Sequence, residues 1–269
     1  MGKALEIIAG DVTGAIAAGT YTGITPHTGN SLTVRNAKED SKVRLLTMWA
    51  DTQLNNSLRI RSPRLHDNVQ GLRFETIASR CEPFWDPIVT QNLVPQDTLT
   101  VEFDESTAAA DVQTAVMLVY YDDLPGIDAR FINLEELAAR GRRMVTVENT
   151  IDSGAGGDWL GAEAINAEFD LLKANEDYAI IGYHVSVECA AVRYRGADFG
   201  NLGIGGPGIE DLKTFTRYWF IWLTERTGIP LIPVFNSANR AGLLIDVCQD
   251  ENAGDPIVTT ILMELGPAA

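Results

Sequence analysis

The chain has 269 residues, 45% of them hydrophobic and 22% charged, a composition typical of a globular protein that can bury one large or two ordinary cores. Its formal net charge of −16 argues against a nucleic-acid-binding surface, which would need a basic stripe. The longest apolar run, Ala115–Tyr121, is too short to span a bilayer, and the N-terminal residues lack a secretory signal pattern. The scattered thiols of Cys81, Cys189 and Cys248 predict buried core residues in a reducing cytoplasm rather than a disulfide framework.

The first half of the chain reads as short strands separated by turns. Residues 1–9 predict an arm or a first short strand. Gly10–Gly29 is rich in glycine, alanine and threonine, and it has turn signals at Thr25-Pro26 and Thr28-Gly29. The alternating segment Ser57–Arg61 predicts a strand with one buried face and one arginine-bearing face. The other predicted strands are Leu32–Val34, Val43–Trp49, Leu72–Ile77, Leu99–Asp104 and Val112–Tyr121. About eight strands in about 110 residues indicate a jelly roll, two packed antiparallel sheets built from Greek keys.

One clear helix signal lies between the halves, at about Leu134–Arg140. Asn133 is a suitable N-cap, and Glu136 stands three residues later as its capping-box partner. Gly141 is a suitable stop. We expect this helix to lie in a linker, residues 131–143, that joins an N-terminal jelly roll, residues 1–130, to a C-terminal jelly roll, residues 144–269.

The second half repeats the plan, with one expanded region. Its predicted strands are Met144–Val147, Glu168–Leu172, Tyr178–Glu188, Val192–Arg195, Leu243–Val247 and Ile257–Leu265. Gly200–Gly208 predicts a loop, and Ile209–Leu223 predicts a helix that ends as a buried strand. The aromatic residues of this last segment allow two interpretations, packing inside the fold or contact with a neighbouring subunit.

Five segments of the first half recur in the same order in the second half, which indicates one structural unit used twice. Ala17–Gly23 recurs as Ala155–Gly161, so that Tyr21 aligns with Trp159 and Gly23 with Gly161. We interpret both copies as turns that enter a sandwich with a ring against its end, not as ligand loops. The other pairs are Ala37–Asp40 with Ala174–Asp177, Arg59–Arg61 with Arg193–Arg195, Leu99–Asp111 with Leu243–Asp255, and Val116–Pro125 with Val258–Pro267.

Motifs of catalysis are missing from the sequence. A bicupin-type metal enzyme would need histidines clustered on neighbouring strands, whereas His27, His66 and His184 are scattered. The sequence also has no nucleophile elbow and no phosphate loop. We therefore expect the protein not to be an enzyme, with no catalytic or cofactor-binding residues. A bicupin enzyme and a carbohydrate-binding β-sandwich protein remain the alternatives.

Two acidic, glycine-containing stretches are candidates for calcium binding, because hard cations need clustered oxygen ligands. One offers Asp250, Asn252 and Asp255, and the other offers Asp152 and Asp158. Neither has the EF-hand spacing. Two interpretations stay open: structural calcium sites, or solvated acidic loops.

The repeated segments, the linker helix and the length of the chain resemble the major capsid protein of corticovirus-type bacteriophages, which are tailless and contain an internal membrane. This resemblance implies an all-β fold of two tandem eight-stranded jelly rolls joined by a short helix. It implies pseudo-hexagonal homotrimers that tile an icosahedral shell, and an association with calcium. We therefore expect a virion protein, made in the host cytoplasm, with no direct nucleic-acid binding.

The partners implied by the resemblance are further copies of the chain, vertex or penton proteins, and membrane proteins of the virion. The sequence shows no long basic or apolar N-terminal arm, which some proteins of this kind use to contact the membrane. Contact with the membrane would then depend on separate membrane proteins.

Overall fold

The computed structural model describes residues 2–37, 42–52, 56–64, 68–76, 91–106, 112–152, 157–208, 213–249 and 254–267. Within these ranges the protein is mostly antiparallel β structure, as the sequence predicts. None of the helices in these ranges is long and apolar enough to cross a membrane. The predicted thiols Cys189 and Cys248 are buried, whereas Cys81 lies outside the described residues.

The strands of the first half form two sheets. The strands are β1 (Ala4–Thr13), β2 (Ile16–Gly23), β3 (Thr25–Pro26), β4 (Val43–Asp51), β5 (Asn56–Arg61), β6 (Leu72–Thr76), β7 (Gln91–Leu93), β8 (Thr100–Ser106) and β9 (Val112–Tyr121). The five-stranded sheet, called the N5 sheet, has the order β3-β1-β9-β4-β7, and the four-stranded sheet, called the N4 sheet, has the order β2-β8-β5-β6.

The second half also forms a five-stranded and a four-stranded sheet. The elements are β10 (Phe131–Ile132), α1 (Leu134–Arg140), β11 (Arg143–Thr150), β12 (Asp158–Ala164), β13 (Glu176–Val185), β14 (Cys189–Arg195), β15 (Gly203–Gly208), α2 (Lys213–Thr216), α3 (Trp219–Thr227), β16 (Ile232–Asn236), β17 (Leu244–Gln249) and β18 (Ile257–Pro267). The five-stranded sheet, called the C5 sheet, has the order β10-β16-β13-β18-β11, and the four-stranded sheet, called the C4 sheet, has the order β12-β17-β14-β15.

The strand order is the same in both halves. In the five-stranded sheets, β1-β9-β4-β7 corresponds to β11-β18-β13-β16. In the four-stranded sheets, β2-β8-β5-β6 corresponds to β12-β17-β14-β15. Each half therefore uses its eight main strands in the same spatial order, and the order of the repeated sequence segments is reproduced in the topology.

The C4 sheet lies between the two five-stranded sheets. On one face, the Tyr194 hydroxyl is 2.9 Å from the Thr260 hydroxyl of the C5 sheet. On the other face, β1 packs against β15, and Trp49 of the N5 sheet donates a hydrogen bond of 2.8 Å to the Ala190 carbonyl. The Trp49 ring also meets Trp219 edge-on at 6.2 Å. These contacts bury both faces of the central N5 strands, whose core residues belong to the same cluster as those of the second half.

The glycine-rich segment Gly200–Gly208 is the main error of the sequence interpretation, because its second part is strand β15 rather than a loop. A Cβ on Gly205 would lie 1.9 Å from the Val192 carbonyl oxygen, and one on Gly208 would lie 2.1 Å from the Cys189 sulfur. These glycines therefore allow close approach of neighbouring backbones and thiols within the sheet. A glycine run in a tightly packed strand resembles a loop in sequence.

Other predicted elements are also corrected. The described part of Ile209–Leu223 belongs to helices α2 and α3 and contains no buried strand, and Glu168–Leu172 is not a strand. Leu32–Val34 contributes only the isolated bridge from Thr33 to Thr98. Ala17–Gly23 and the residues Asp158–Gly161 of its repeat are strand residues of β2 and β12, not turns.

Helix α1 is confirmed, with the predicted bounds and N-cap, but the Glu136 carboxylate accepts a hydrogen bond from Arg140 instead of completing the predicted capping box. The Asn133 side chain accepts a hydrogen bond of 2.8 Å from the Glu136 amide, and the Gly141 amide donates to the Leu137 carbonyl at 2.8 Å. The end of the helix is tied to the C5 sheet, because Arg140 donates to the buried carboxylate of Asp177 at 3.0 Å.

Candidate functional site: the cleft between the two halves

In both four-stranded sheets, three neighbouring strands pair one glycine, one acidic residue and one arginine in a row across the sheet, and we call this row the rung. In the N4 sheet, Gly23 pairs with Glu102, which pairs with Arg59 on its other side. In the C4 sheet, the corresponding rung is Gly161, Asp246 and Arg193. The register of these strands therefore confirms three of the sequence alignments at once.

The side chains of the N4 rung form a charged cluster on the face opposite Leu58 and Ile60, which are buried. Arg59 Nε donates to Glu102 at 2.6 Å, and Arg61 donates to the same carboxylate through Nε and Nη2, each at 2.9 Å. The hydrogen bond from Arg61 lowers the pKa of Glu102. The Arg59 guanidinium also stacks 3.4 Å above the Tyr21 ring, a cation–π contact.

The C4 rung repeats this cluster with different residue types. Arg193 Nε donates to Asp246 at 2.9 Å, and Arg195 donates through Nε at 2.6 Å and Nη2 at 2.9 Å. The Arg193 guanidinium lies 4.0 Å above the Trp159 ring. Burial lowers the pKa of Arg193, although Asp246 opposes this effect, and the hydrogen bond to Asp246 raises the pKa of Arg195.

The C4 cluster faces the first half of the chain across a cleft of about 300 Å³. The first half contributes Glu6, Asn30 and Arg35 to its wall, and the second half contributes the rung residues Arg193 and Asp246 with their neighbours. Arg35 forms a bidentate ion pair with Glu6, donating through Nε at 2.8 Å and through Nη2 at 2.6 Å. The cleft is thus lined by charged groups from both halves.

One turn of the first half, residues 27–30, joins the two halves beside this cleft. The Asp158 carboxylate accepts hydrogen bonds from the Thr28 amide at 2.9 Å and from its hydroxyl at 2.6 Å. Trp159 Nε1 donates to Asn30 Oδ1 at 2.7 Å. Burial would raise the pKa of Asp158, but its hydrogen bonds, that of the Thr28 hydroxyl first, outweigh burial and lower it.

A buried imidazole occupies the same turn. His27 is 3.2 Å from Asp11 Oδ1 through Nε2 and 3.4 Å from Cys248 Sγ through Nδ1. Its ring also meets Trp159 edge-on at 6.3 Å. His27 is therefore a core residue that links the halves. His184 lies on β13, and His66 falls outside the described residues.

The residues predicted to bind calcium are placed as follows. Asp250 and Asn252 lie outside the described residues, whereas Asp152 and Asp255 are exposed. Asp158 begins β12, and its two carboxylate oxygens bind Thr28. The described parts of the chain contain no group of three histidine, cysteine or acidic side chains placed to hold a metal ion. Calcium binding stays a prediction.

The cleft itself was not predicted from the sequence. The repeat pointed to Arg59–Arg61 and Arg193–Arg195, and the alternation in Ser57–Arg61 placed arginines on one face. Nothing local to Glu6, Asn30 or Arg35 indicates that they meet the C4 sheet, because these contacts depend on how the halves pack.

Comparisons with known proteins give little independent information. The chain matches no protein-family model, and no curated protein is similar to it in sequence. Among solved structures, it aligns with the crystal structure of the major capsid protein P2 from Bacteriophage PM2 over 96% of this chain and 97% of that chain. The identity is 11% and the TM-score is 0.24. These values are too low to carry a conclusion about fold or function.

Proposed function

We propose that the protein is a structural capsid subunit made of two jelly rolls, which forms pseudo-hexagonal homotrimers that tile an icosahedral shell around an internal membrane. The observation that supports this proposal most is a contact, within one chain, between a five-stranded sheet of one half and a four-stranded sheet of the other half. The outward face of the N5 sheet packs on the outward face of the C4 sheet, through β1 and β15 and through Trp49 and Ala190.

The repeat makes this contact a template for assembly. The C5 sheet corresponds to the N5 sheet, and the N4 sheet corresponds to the C4 sheet. The equivalent contact would therefore join the C5 face of one copy to the N4 face of the next. Such a head-to-tail contact closes into a ring if its rotation allows. Six jelly rolls in such a ring correspond to three chains and an approximately sixfold outline.

The chain's own α2–α3 segment covers part of the outward C5 face, because a Cβ on Gly182, the β13 partner of Ile261, would lie 2.3 Å from the Arg217 carbonyl oxygen. The β11 side of this face has the apolar surface that the contact needs. Thr260 faces the C4 sheet, so alternate residues of β18 face away from it. Ile261 and Met263 are half-buried there and pair with Thr146 and Met144 of β11. Met144 is 57% exposed. Exposed apolar side chains grouped on one sheet face are typical of an interface.

Substitution on this face tests the proposal. We expect Met144→Glu to convert trimers into folded monomers, because it introduces a charge into the apolar part of the contact. Sedimentation velocity of the full chain measures the oligomer, and circular dichroism checks the fold. Phe169→Glu is the matched control, since Phe169 is 55% exposed in the connection between β12 and β13. A trimer that persists in the folded Met144→Glu variant would contradict this interface.

We also propose that calcium stabilises the assembly, through Asp255 and Asp152 together with the acidic residues near them. The net charge of −16 on each chain supports this proposal, because self-repulsion grows when copies meet. A chelator is then expected to lower the melting temperature or to dissociate trimers, and Asp255→Asn to reduce that response. Unchanged melting and mass on chelation would eliminate the calcium proposal while leaving the capsid proposal intact.

A further inference from the structure

The two arginine clusters differ in what covers them. In the N4 sheet, the connection between β5 and β6 supplies backbone acceptors for the arginines. Arg61 Nη1 donates to the Asn68 carbonyl at 3.2 Å, and Arg59 Nη1 approaches the Val69 carbonyl at 3.5 Å. The guanidinium groups that bind Glu102 thus also have acceptors from the chain itself.

The corresponding connection in the second half makes its hydrogen bonds to another part of the chain. Residues 196–202 join β14 to β15, and the Asp198 carboxylate there accepts hydrogen bonds from the Asn239 side chain at 3.0 and 3.2 Å. Among the residues that the structure describes, the hydrogen bonds of these two arginines come from Arg193 Nε and from Arg195 Nε and Nη2, and none comes from Arg195 Nη1 or from the terminal nitrogens of Arg193. The C4 cluster therefore keeps donors that its N4 counterpart has satisfied.

These donors line the cleft, and a guanidinium remains charged at any ordinary pH. Arg193 is only 5% exposed as a residue, but its terminal nitrogens are not among the fully buried polar atoms that lack a partner, so they reach the cleft. An anion in the cleft can therefore accept hydrogen bonds from them. Arg35 adds a further nitrogen, Nη1, since its Nε and Nη2 bind Glu6.

The charges of the cleft also favour an anion. The ionisable groups of its wall are Arg35, Arg193 and Arg195 against Glu6 and Asp246, so the wall carries one excess positive charge. This local excess occurs in a chain with a net charge of −16. The cleft of about 300 Å³ has room for a small polar group.

We propose that this cleft binds one oxyanion, a carboxylate or phosphate group, between Arg35, Arg193 and Arg195. Guanidinium forks match the two-oxygen geometry of both groups. The Trp159 ring beneath Arg193 and the carboxylate of Asp246 hold the forks in position before binding. The oxyanion comes either from free phosphate or from an acidic side chain of a second copy of the chain.

Calorimetric titration of the full chain with inorganic phosphate tests the site. We expect one phosphate per chain, and we expect Arg195→Gln to weaken binding at least about tenfold because it removes charge-assisted hydrogen bonds. Arg195→Lys keeps the charge beside Asp246 but removes the fork, and it should weaken binding as well. Wild-type affinity in a folded Arg195→Lys protein, or no phosphate binding by the wild type, would overturn the site.

Two matched variants locate the binding. Arg61→Gln changes the equivalent arginine of the N4 cluster, and Lys42→Gln changes a separate basic cleft that Lys3 and Arg44 also line. Both should bind phosphate within about twofold of the wild type, since neither contacts the proposed site. Weakening in Lys42→Gln with unchanged binding in Arg195→Gln would move the phosphate to that other cleft and overturn the inference.

The mass of the protein with and without phosphate distinguishes the two sources. If phosphate dissociates an assembly that Arg195→Gln also fails to form, the natural oxyanion is a carboxylate of a neighbouring copy. If phosphate binds through Arg195 and the mass does not change, the natural ligand is a free anion. Both results retain the site, and neither requires the capsid function to be correct.

Discussion

At the scale of single residues, the fold depends on carboxylates that are buried beneath two or more basic side chains. Glu102, Asp246 and Asp177 are each held by two arginines. Glu264 is held by Lys173 and Arg143. Such groups cost desolvation energy, and removal of one partner leaves a charge without compensation. We infer that they fix the register of strands from distant parts of the chain.

The carboxylate of Asp177 has the clearest pH signature. Burial would raise its pKa, but hydrogen bonds from Arg130, Asn236 and Arg140 outweigh burial and hold the pKa at about 2. Because the folded-state pKa lies below the unfolded value, the stabilisation is complete above about pH 4 and disappears as the pH falls through about 2.

We therefore predict that Asp177→Asn lowers the free energy of unfolding by about 2 kcal/mol at neutral pH. The difference from the wild type should shrink towards zero near pH 2. Urea denaturation across this pH range measures both effects. Glu136→Gln is the control, since its exposed pair with Arg140 within one helix should contribute no more than about 0.5 kcal/mol. A wild-type-to-Asp177→Asn difference that does not depend on pH would contradict the assignment.

At the scale of elements, close backbone approach determines strand β15. We predict that Gly205→Ala destabilises the protein by about 2 kcal/mol or more, because the new Cβ would lie 1.9 Å from the Val192 carbonyl oxygen. Thermal and urea denaturation measure this change. Gly242→Ala is the matched control, since a Cβ there meets nothing within 4 Å, and its stability should stay close to that of the wild type. Equal stability of the two variants would show that β15 is not tightly packed.

Local sequence patterns predicted some elements well and others poorly. The alternation in Ser57–Arg61, the apolar run in Val112–Tyr121 and the cap at Asn133 each predicted the observed element, because local chemistry determines them. Strand β15 and strand β2 have small residues and weak periodicity, so both read as loops or turns. These segments are extended because they pair with neighbouring strands, β15 with β14 and β2 with β8.

The same limit applies to the candidate site. The repeat identified the arginine pairs and the aromatic residues Tyr21 and Trp159, and the structure places each aromatic beneath an arginine of its own half. The prediction that these rings lie against the end of a sandwich at a turn is wrong, because both rings belong to strands. The cleft opposite Trp159 depends on packing between halves, which no local pattern encodes.

At the scale of the whole molecule, duplication is visible in the topology and in one charged cluster per half. The two copies differ in their surroundings, because the C4 face is covered by the N5 sheet of the same chain. The corresponding N4 face and the β11 side of the C5 face, which the α2–α3 segment leaves open, are the surfaces that a neighbouring copy would occupy. This difference between equivalent faces is the basis of the proposed trimer.

Light scattering coupled to size-exclusion chromatography of the wild-type chain tests the central claim most directly. The account predicts a mass of three times 29.3 kDa that persists on dilution. A mass of one or two chains at every concentration would contradict the proposed assembly.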